Sequence, residues 1–162
     1  MHELNIPVSG GKREFYAELR IQLAALLAGE TDLIANTANM ASLLYHALPD
    51  VNWAGFYFRK DAELVLGPFH GQPACVRIAF GKGVCGSAAE ARKPVLVNDV
   101  HAFPGHIACD AASLSELVVP LMRGGELLGV LDLDSPLPGR FDHEDQAGCE
   151  NLAATLVASL AD

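Results

Sequence analysis

The segment ELVVPLMRGGELLGVLDLDS, Glu116 to Ser135, holds two apolar runs on either side of a Gly-Gly pair. ELVVPLM (116–122) and LLGVLDLDS (127–135) read as strands. RGGE between them supplies Gly124 and Gly125, which tolerate the positive φ that a tight hairpin turn requires. An antiparallel hairpin follows. Working outward, VNWAGFYF (51–58) and ELVLGPF (63–69) flank the short turn RKDA and predict a second hairpin. CVRIAF (75–80) and VLVND (95–99) add two further candidate strands.

The two ends of the chain have helical periodicity instead. From Lys12 to Ala28, Phe15, Leu19, Leu23 and Leu26 recur three or four residues apart, and Gly29 stops the run. Thr31 is placed to cap a second helix with Leu33, Thr37, Met40, Leu44 and Leu48 along one face, and Pro49 ends it. A last helix begins near Asp142, where Asp142 and Asp145 suit a capping arrangement, and Leu152, Leu156 and Leu160 form its stripe. Helices at both ends and hairpin-joined strands between them predict an α+β domain. Its sheet is mostly antiparallel, with helices segregated onto one face. Residues 1–11 read as a flexible arm and 12–162 as a single domain.

The 162 residues are 51% apolar, enough for one real core. Eleven basic against twenty acidic residues give a net charge of -9, with no basic stripe, which argues against nucleic acid and anionic membrane as partners. The first residues lack the apolar core of a signal peptide, and no apolar run approaches a membrane span. The expected location is therefore the cytoplasm, where Cys75, Cys85, Cys109 and Cys149 are reduced at rest.

Several patterns could carry chemistry. GKGVCG (81–86) matches the spacing of a dinucleotide-binding turn, but the chain around it lacks alternating strands and helices. The glycines then serve a sharp turn before a short helix over SAAEAR. His106 with Cys109, Cys75 and Cys85 could be drawn as a metal set, yet no closely spaced cysteine pair supports it. A Cys-His hydrolase pair lacks an oxyanion motif. Cys149, inside the last helix, reads as a small buried hydrophobe. Cys109 stands in PGHIACDAAS, a polar stretch poor in large apolar residues, and is either a loop thiol with chemistry or an inert one. Asp132 and Asp134 are two apart and share one face of a strand, and hairpin pairing brings Glu116 to the same end. Three acids thus either converge on a pocket or decorate a solvated strand end.

On NWAGFYF, ACVRIAFGKGVCG, HIACDAASLSELVVP and GVLDLDSP, the chain resembles GAF-domain proteins, and within them the free methionine-(R)-sulfoxide reductases. The GKGVCG turn and the LGVLDLDS strand are shared with GAF domains generally. The cysteine trio with SELVVP and DLDS is the more specific part.

That resemblance implies a GAF fold, a reductase and roles for eight residues. Cys109 attacks the sulfoxide, Cys75 is the main resolving thiol, and Cys85 is a further or substitute partner. Trp53 forms the wall for the substrate methyl group and Tyr57 lines the same space. Glu116, Asp132 and Asp134 hold the amino group and the sulfoxide oxygen. No metal or cofactor is implied: a thioredoxin-type dithiol protein reopens the disulfide. Preference for the R epimer comes with the resemblance. The apolar helical faces permit a homodimer. The rival readings are a GAF module that only senses a small ligand, and a redox-sensing thiol protein with no small substrate.

Overall fold

The computed structural model describes residues 3–4, 10–105 and 112–162. Most of the expected arm, and Cys109 with its immediate neighbours, lie outside the described residues. Helix α1 (Lys12–Leu27) buries Tyr16, Leu19, Leu23 and Leu27, the three- and four-residue spacing of one helical face. Helix α2 (Leu33–Ala47) is capped by Asp32, whose side chain accepts from the Ala35 N–H at 2.8 Å. Thr31, the expected cap, lies one residue too early. Its own N–H donates to Glu30.

Strands β1 (Trp53–Lys60), β2 (Glu63–Gly71), β3 (Arg77–Ala79), β4 (Val95–Val97), β5 (Ser115–Arg123) and β6 (Glu126–Ser135) form one sheet in the order β3-β2-β1-β6-β5-β4. Every neighbouring pair is antiparallel. Both expected hairpins form, and Gly124 and Gly125 turn at φ 55° and 86°, the left-handed values that suit glycine. The candidate strands at 75–80 and 95–99 shrink to three residues each. The short helix α3 (Gly83–Ala91) lies between them, and α4 (His143–Ser159) closes the chain. Because the sheet is antiparallel throughout, the glycine-rich turn before α3 is not part of a parallel βαβ unit.

Alternation along the strands splits the interior into two layers. Ala54, Phe56, Leu117, Val119, Leu121, Leu131 and Leu133 face one side, where they pack with α1, α2 and α4. Trp53, Tyr57, Val118 and Val130 face the other and pack with α3, through Val84, Cys85, Ala88 and Ala89. Three helices thus share one face, as the end-loaded helical pattern predicts, and the short α3 roofs the opposite one. Full burial of each large apolar side chain contributes about 1.5–3 kcal/mol, so both layers matter to stability.

The three-helix face is also tied by one acid. Asp142 and Asp145 form the expected capping box at the start of α4. Asp145, 1% exposed, accepts from the Tyr16 hydroxyl at 2.7 Å, Lys12 Nζ at 2.6 Å and the Asp142 N–H at 2.9 Å.

Candidate active site

On the α3 side, register brings the acids together. Glu116 on β5 lies opposite Asp134 on β6, and Asp134 in turn opposite Trp53 on β1. Asp132 pairs with Gly55. A side chain at position 55 would come within 2.8 Å of the Trp53 ring, so the missing Cβ lets the indole lie across the strand. Trp53 stacks on Phe69 at 5.2 Å and near Tyr57 at 6.0 Å between centroids. Trp53 Nε1 donates to the Gln72 carbonyl at 3.0 Å, and the Tyr57 hydroxyl to the Cys75 carbonyl at 2.9 Å. Both aromatic walls therefore hold the connection that carries Cys75.

These residues line one cavity. Trp53, Tyr57, Cys85, Glu116, Asp132 and Asp134 all border it, so six of the eight residues named from sequence meet in one place. Cys75 packs half-buried against the same layer and is disulfide-bonded. Cys85 and Cys149 are free thiols. Cys109 lies outside the described residues. Sequence reasoning missed Ser113, Lys82 and Gln72, which also line the cavity. No local signal marks them: Ser113 sits in a run of small residues, and Lys82 looks like an ordinary exposed lysine.

The electrostatics favour protons over charge. Glu116 and Asp132 are 7% and 5% exposed. Burial pushes the Glu116 carboxyl well above the usual carboxylate range, and the charges of Asp132 and Asp134 push it further. Burial likewise raises Asp132. Neighbouring charge is thus the second cause of a neutral carboxyl here and desolvation the first. Cys85 Sγ points at Glu116 Oε2 from 3.8 Å. Its thiol is also held well above its ordinary value, by burial and then by the acids. Cys85 is accordingly a neutral thiol and a poor nucleophile as it stands.

Cys85, Glu116 and Asp132 bring one ligand atom each within 4.8 Å of the others, close enough to surround a cation. With two of the three driven strongly toward their protonated forms, the cluster is better suited to holding and delivering protons. Among the described residues, Asp132 Oδ1 and Ser113 Oγ are buried without a hydrogen-bond partner. A buried polar atom left unpaired costs about 1–3 kcal/mol, and both residues line the cavity.

The fold and this site define a class. The model of the GAF domain family matches residues 36–161, and the chain belongs to that family. Within it, the chain is 53% identical over 150 residues to the free methionine-R-sulfoxide reductase of Escherichia coli, covering 93% of this chain and 91% of that protein. It is 43% identical over 156 residues to the enzyme of the same name from Saccharomyces cerevisiae, covering 91% and 87%. The X-ray structure of free methionine-R-sulfoxide reductase from Neisseria meningitidis in complex with its substrate superposes with a TM-score of 0.93. That pair is 44% identical, with 98% of this chain and 95% of the other covered.

Among the described residues, no helix is long and apolar enough to cross a membrane.

Proposed function

We propose that this protein is an oxidoreductase that reduces free methionine-R-sulfoxide to methionine. The observation that carries the reading is the acid-floored, indole-walled cavity, in which buried carboxyls lie beside a cysteine-bearing connection. The extent of the likeness to reductases of that name supports it.

A sulfoxide oxygen leaves poorly until it is protonated or strongly hydrogen-bonded. A carboxyl kept neutral by burial can supply that proton, and burial raises both Glu116 and Asp132 toward the neutral form. Asp134, half-buried beside it, supplies charge for the substrate ammonium. A methionine sulfoxide inside a peptide has an amide there instead, so the free amino acid is preferred. The Trp53 indole offers an apolar face to the S-methyl group.

In the proposed cycle the Cys109 sulfur attacks the sulfoxide sulfur. The sulfoxide oxygen passes to Cys109, giving a sulfenic acid, and methionine departs. The Cys75 thiol then attacks that sulfur, forming a Cys75–Cys109 disulfide and releasing water. The disulfide-bonded state of Cys75 supports its role as a resolving thiol. Cys85 then serves as a substitute partner only after its thiol loses a proton that burial holds on. A dithiol protein of the thioredoxin kind reduces the disulfide, becoming oxidised itself. That step fits a cytoplasmic setting and needs no metal or bound cofactor.

Turnover with a thioredoxin system tests this. The free R epimer should yield methionine, the S epimer and an N-acylated sulfoxide little or none, and Cys109→Ser should be inactive. Absence of methionine from the R epimer, or full activity in Cys109→Ser, would overturn it.

A further inference from the structure

Neither His46 nor His70 lines the cavity, and the reductase chemistry uses neither. His46 stands exposed in the last turn of α2, and His70 half-buried near the end of β2. The fold brings their rings to 5.8 Å between centroids, with the planes at 73°. Tyr45 meets both: its ring is 5.5 Å from that of His46 and 5.7 Å from that of His70. Three rings in mutual contact restrain one another, so the two imidazoles lose little further freedom on taking up a ligand.

A hydrogen bond assigns the His46 proton. Nδ1 lies 2.8 Å from the Ser42 carbonyl oxygen, which can only accept, while the Ser42 hydroxyl is farther away at 3.5 Å. Nδ1 therefore carries the hydrogen, and Nε2 across the ring carries the lone pair. An imidazole whose Nδ1–H is held by a backbone carbonyl is the form in which histidine ligates metals, because that bond fixes both tautomer and ring.

The spacing suits one shared ion. Nitrogen ligands lie about 2.0–2.1 Å from zinc, and each imidazole nitrogen about 1 Å from its ring centre. Two rings on one ion then have centres about 5 Å apart at a tetrahedral angle and about 6.5 Å apart in line, and the observed 5.8 Å lies between. A net charge of -9 draws cations to this surface, and paired imidazoles select Zn²⁺, Ni²⁺ or Cu²⁺ over Mg²⁺ and Ca²⁺.

We infer that His46 and His70 form a binding site for a divalent transition metal, with water completing the coordination. The site clamps α2 to the end of β2. Gly71, next in the chain, pairs with Trp53, and the Gln72 carbonyl accepts from Trp53 Nε1. An ion on His70 thus fastens the strand end to which the indole is bonded, without entering the cavity.

The test titrates the untagged full chain, in its disulfide-bonded form, with Ni²⁺ and with Mg²⁺ as a control. Calorimetry should show Ni²⁺ binding one-to-one and Mg²⁺ not at all. His46→Gln and His70→Gln should each weaken Ni²⁺ binding by at least about 10-fold, since losing a partner that merely orients a ligand already costs that much. His143→Gln, at an exposed position on α4, should leave it unchanged. Ni²⁺ should raise the thermal midpoint of wild type by mass action, and raise that of either clamp variant much less.

Undiminished Ni²⁺ binding in either variant would overturn the clamp, as would a wild-type protein that binds no Ni²⁺ or binds Mg²⁺ equally well. If His70→Gln fails to fold, His46→Gln, at an exposed position, decides alone. The reductase reading does not depend on any of these outcomes.

Discussion

Buried acids lie on both sides of the sheet, Asp145 of α4 on one and Glu116 and Asp132 on the other, and the two sides are treated in opposite ways. Asp145, under α1, accepts from a tyrosine hydroxyl, a lysine and a backbone N–H, with Arg140 Nη1 3.4 Å away. Its capping partner Asp142 is held down at about 2, chiefly by the Lys12 ammonium. Among the described residues, Glu116 and Asp132, under α3, have no cation bonded to them, and Asp132 Oδ1 has no hydrogen-bond partner. Both are pushed up rather than down. A satisfied buried acid staples helices together, whereas an unsatisfied one stores a proton. The contrast separates structure from chemistry within a single domain.

Removing the staple should have the largest effect on stability. Asp145→Ala leaves Arg140 without its counter-charge, removes one of the two carboxylates paired with Lys12, and leaves a buried tyrosine hydroxyl without its acceptor. Denaturant unfolding should show a loss of about 3 kcal/mol, with kcat/KM nearly unchanged in the folded protein. An equal loss in Asp145→Ala and Glu116→Gln would erase the distinction.

Glu116→Gln should behave in the opposite way. Turnover should fall by about 10²–10⁴-fold, the range for a lost general acid. Stability at neutral pH should hold or rise, because the glutamate, ionised in the unfolded chain, no longer has to take up a proton in order to be buried. The sign follows from proton binding. Glu116 is raised in the folded state, so between the ordinary glutamate range and its folded value the native protein binds more protons than the unfolded chain. Stability therefore falls as pH rises through that window. Thermal midpoints measured across pH 4–8 should decline more shallowly in Glu116→Gln than in wild type, about 4 being where an ordinary glutamate titrates. Asp142 works the other way: its contribution is present above the ordinary aspartate range and is lost as pH falls toward about 2.

The smallest expected effect is at the indole. Trp53→Phe keeps an apolar wall but loses the hydrogen bond to the Gln72 carbonyl. KM for the sulfoxide should rise about 5-fold with little change in kcat, since one neutral hydrogen bond and some contact area are lost.

Much of this was legible in the sequence, for local reasons. The 116–135 hairpin follows from apolar runs around Gly124-Gly125, and the α4 cap from the spacing of Asp142 and Asp145. Placing Asp132 and Asp134 on one face needs only the two-residue period of a strand. What could not be read is long-range. Nothing local says that β1 lies beside β6, which sets Trp53 over the acids. Nor does anything local send α3 to the face opposite the other helices. Asp145 reads as a cap, while its bonds to Lys12 and Tyr16 span more than 120 residues. Ser113 lines the cavity from a run of small residues that carries no local signal. The eight residue roles came from family resemblance, and the geometry gathers six of those side chains around one cavity.

The most direct measurement is a single turnover by the fully reduced protein, given excess free methionine-R-sulfoxide and no external reductant. Methionine released per chain is counted and the remaining thiols are mapped by alkylation. The account predicts about one methionine per chain, with Cys75 and Cys109 joined and Cys85 and Cys149 still alkylatable after unfolding. No methionine released, or a disulfide that leaves Cys109 free, would contradict it.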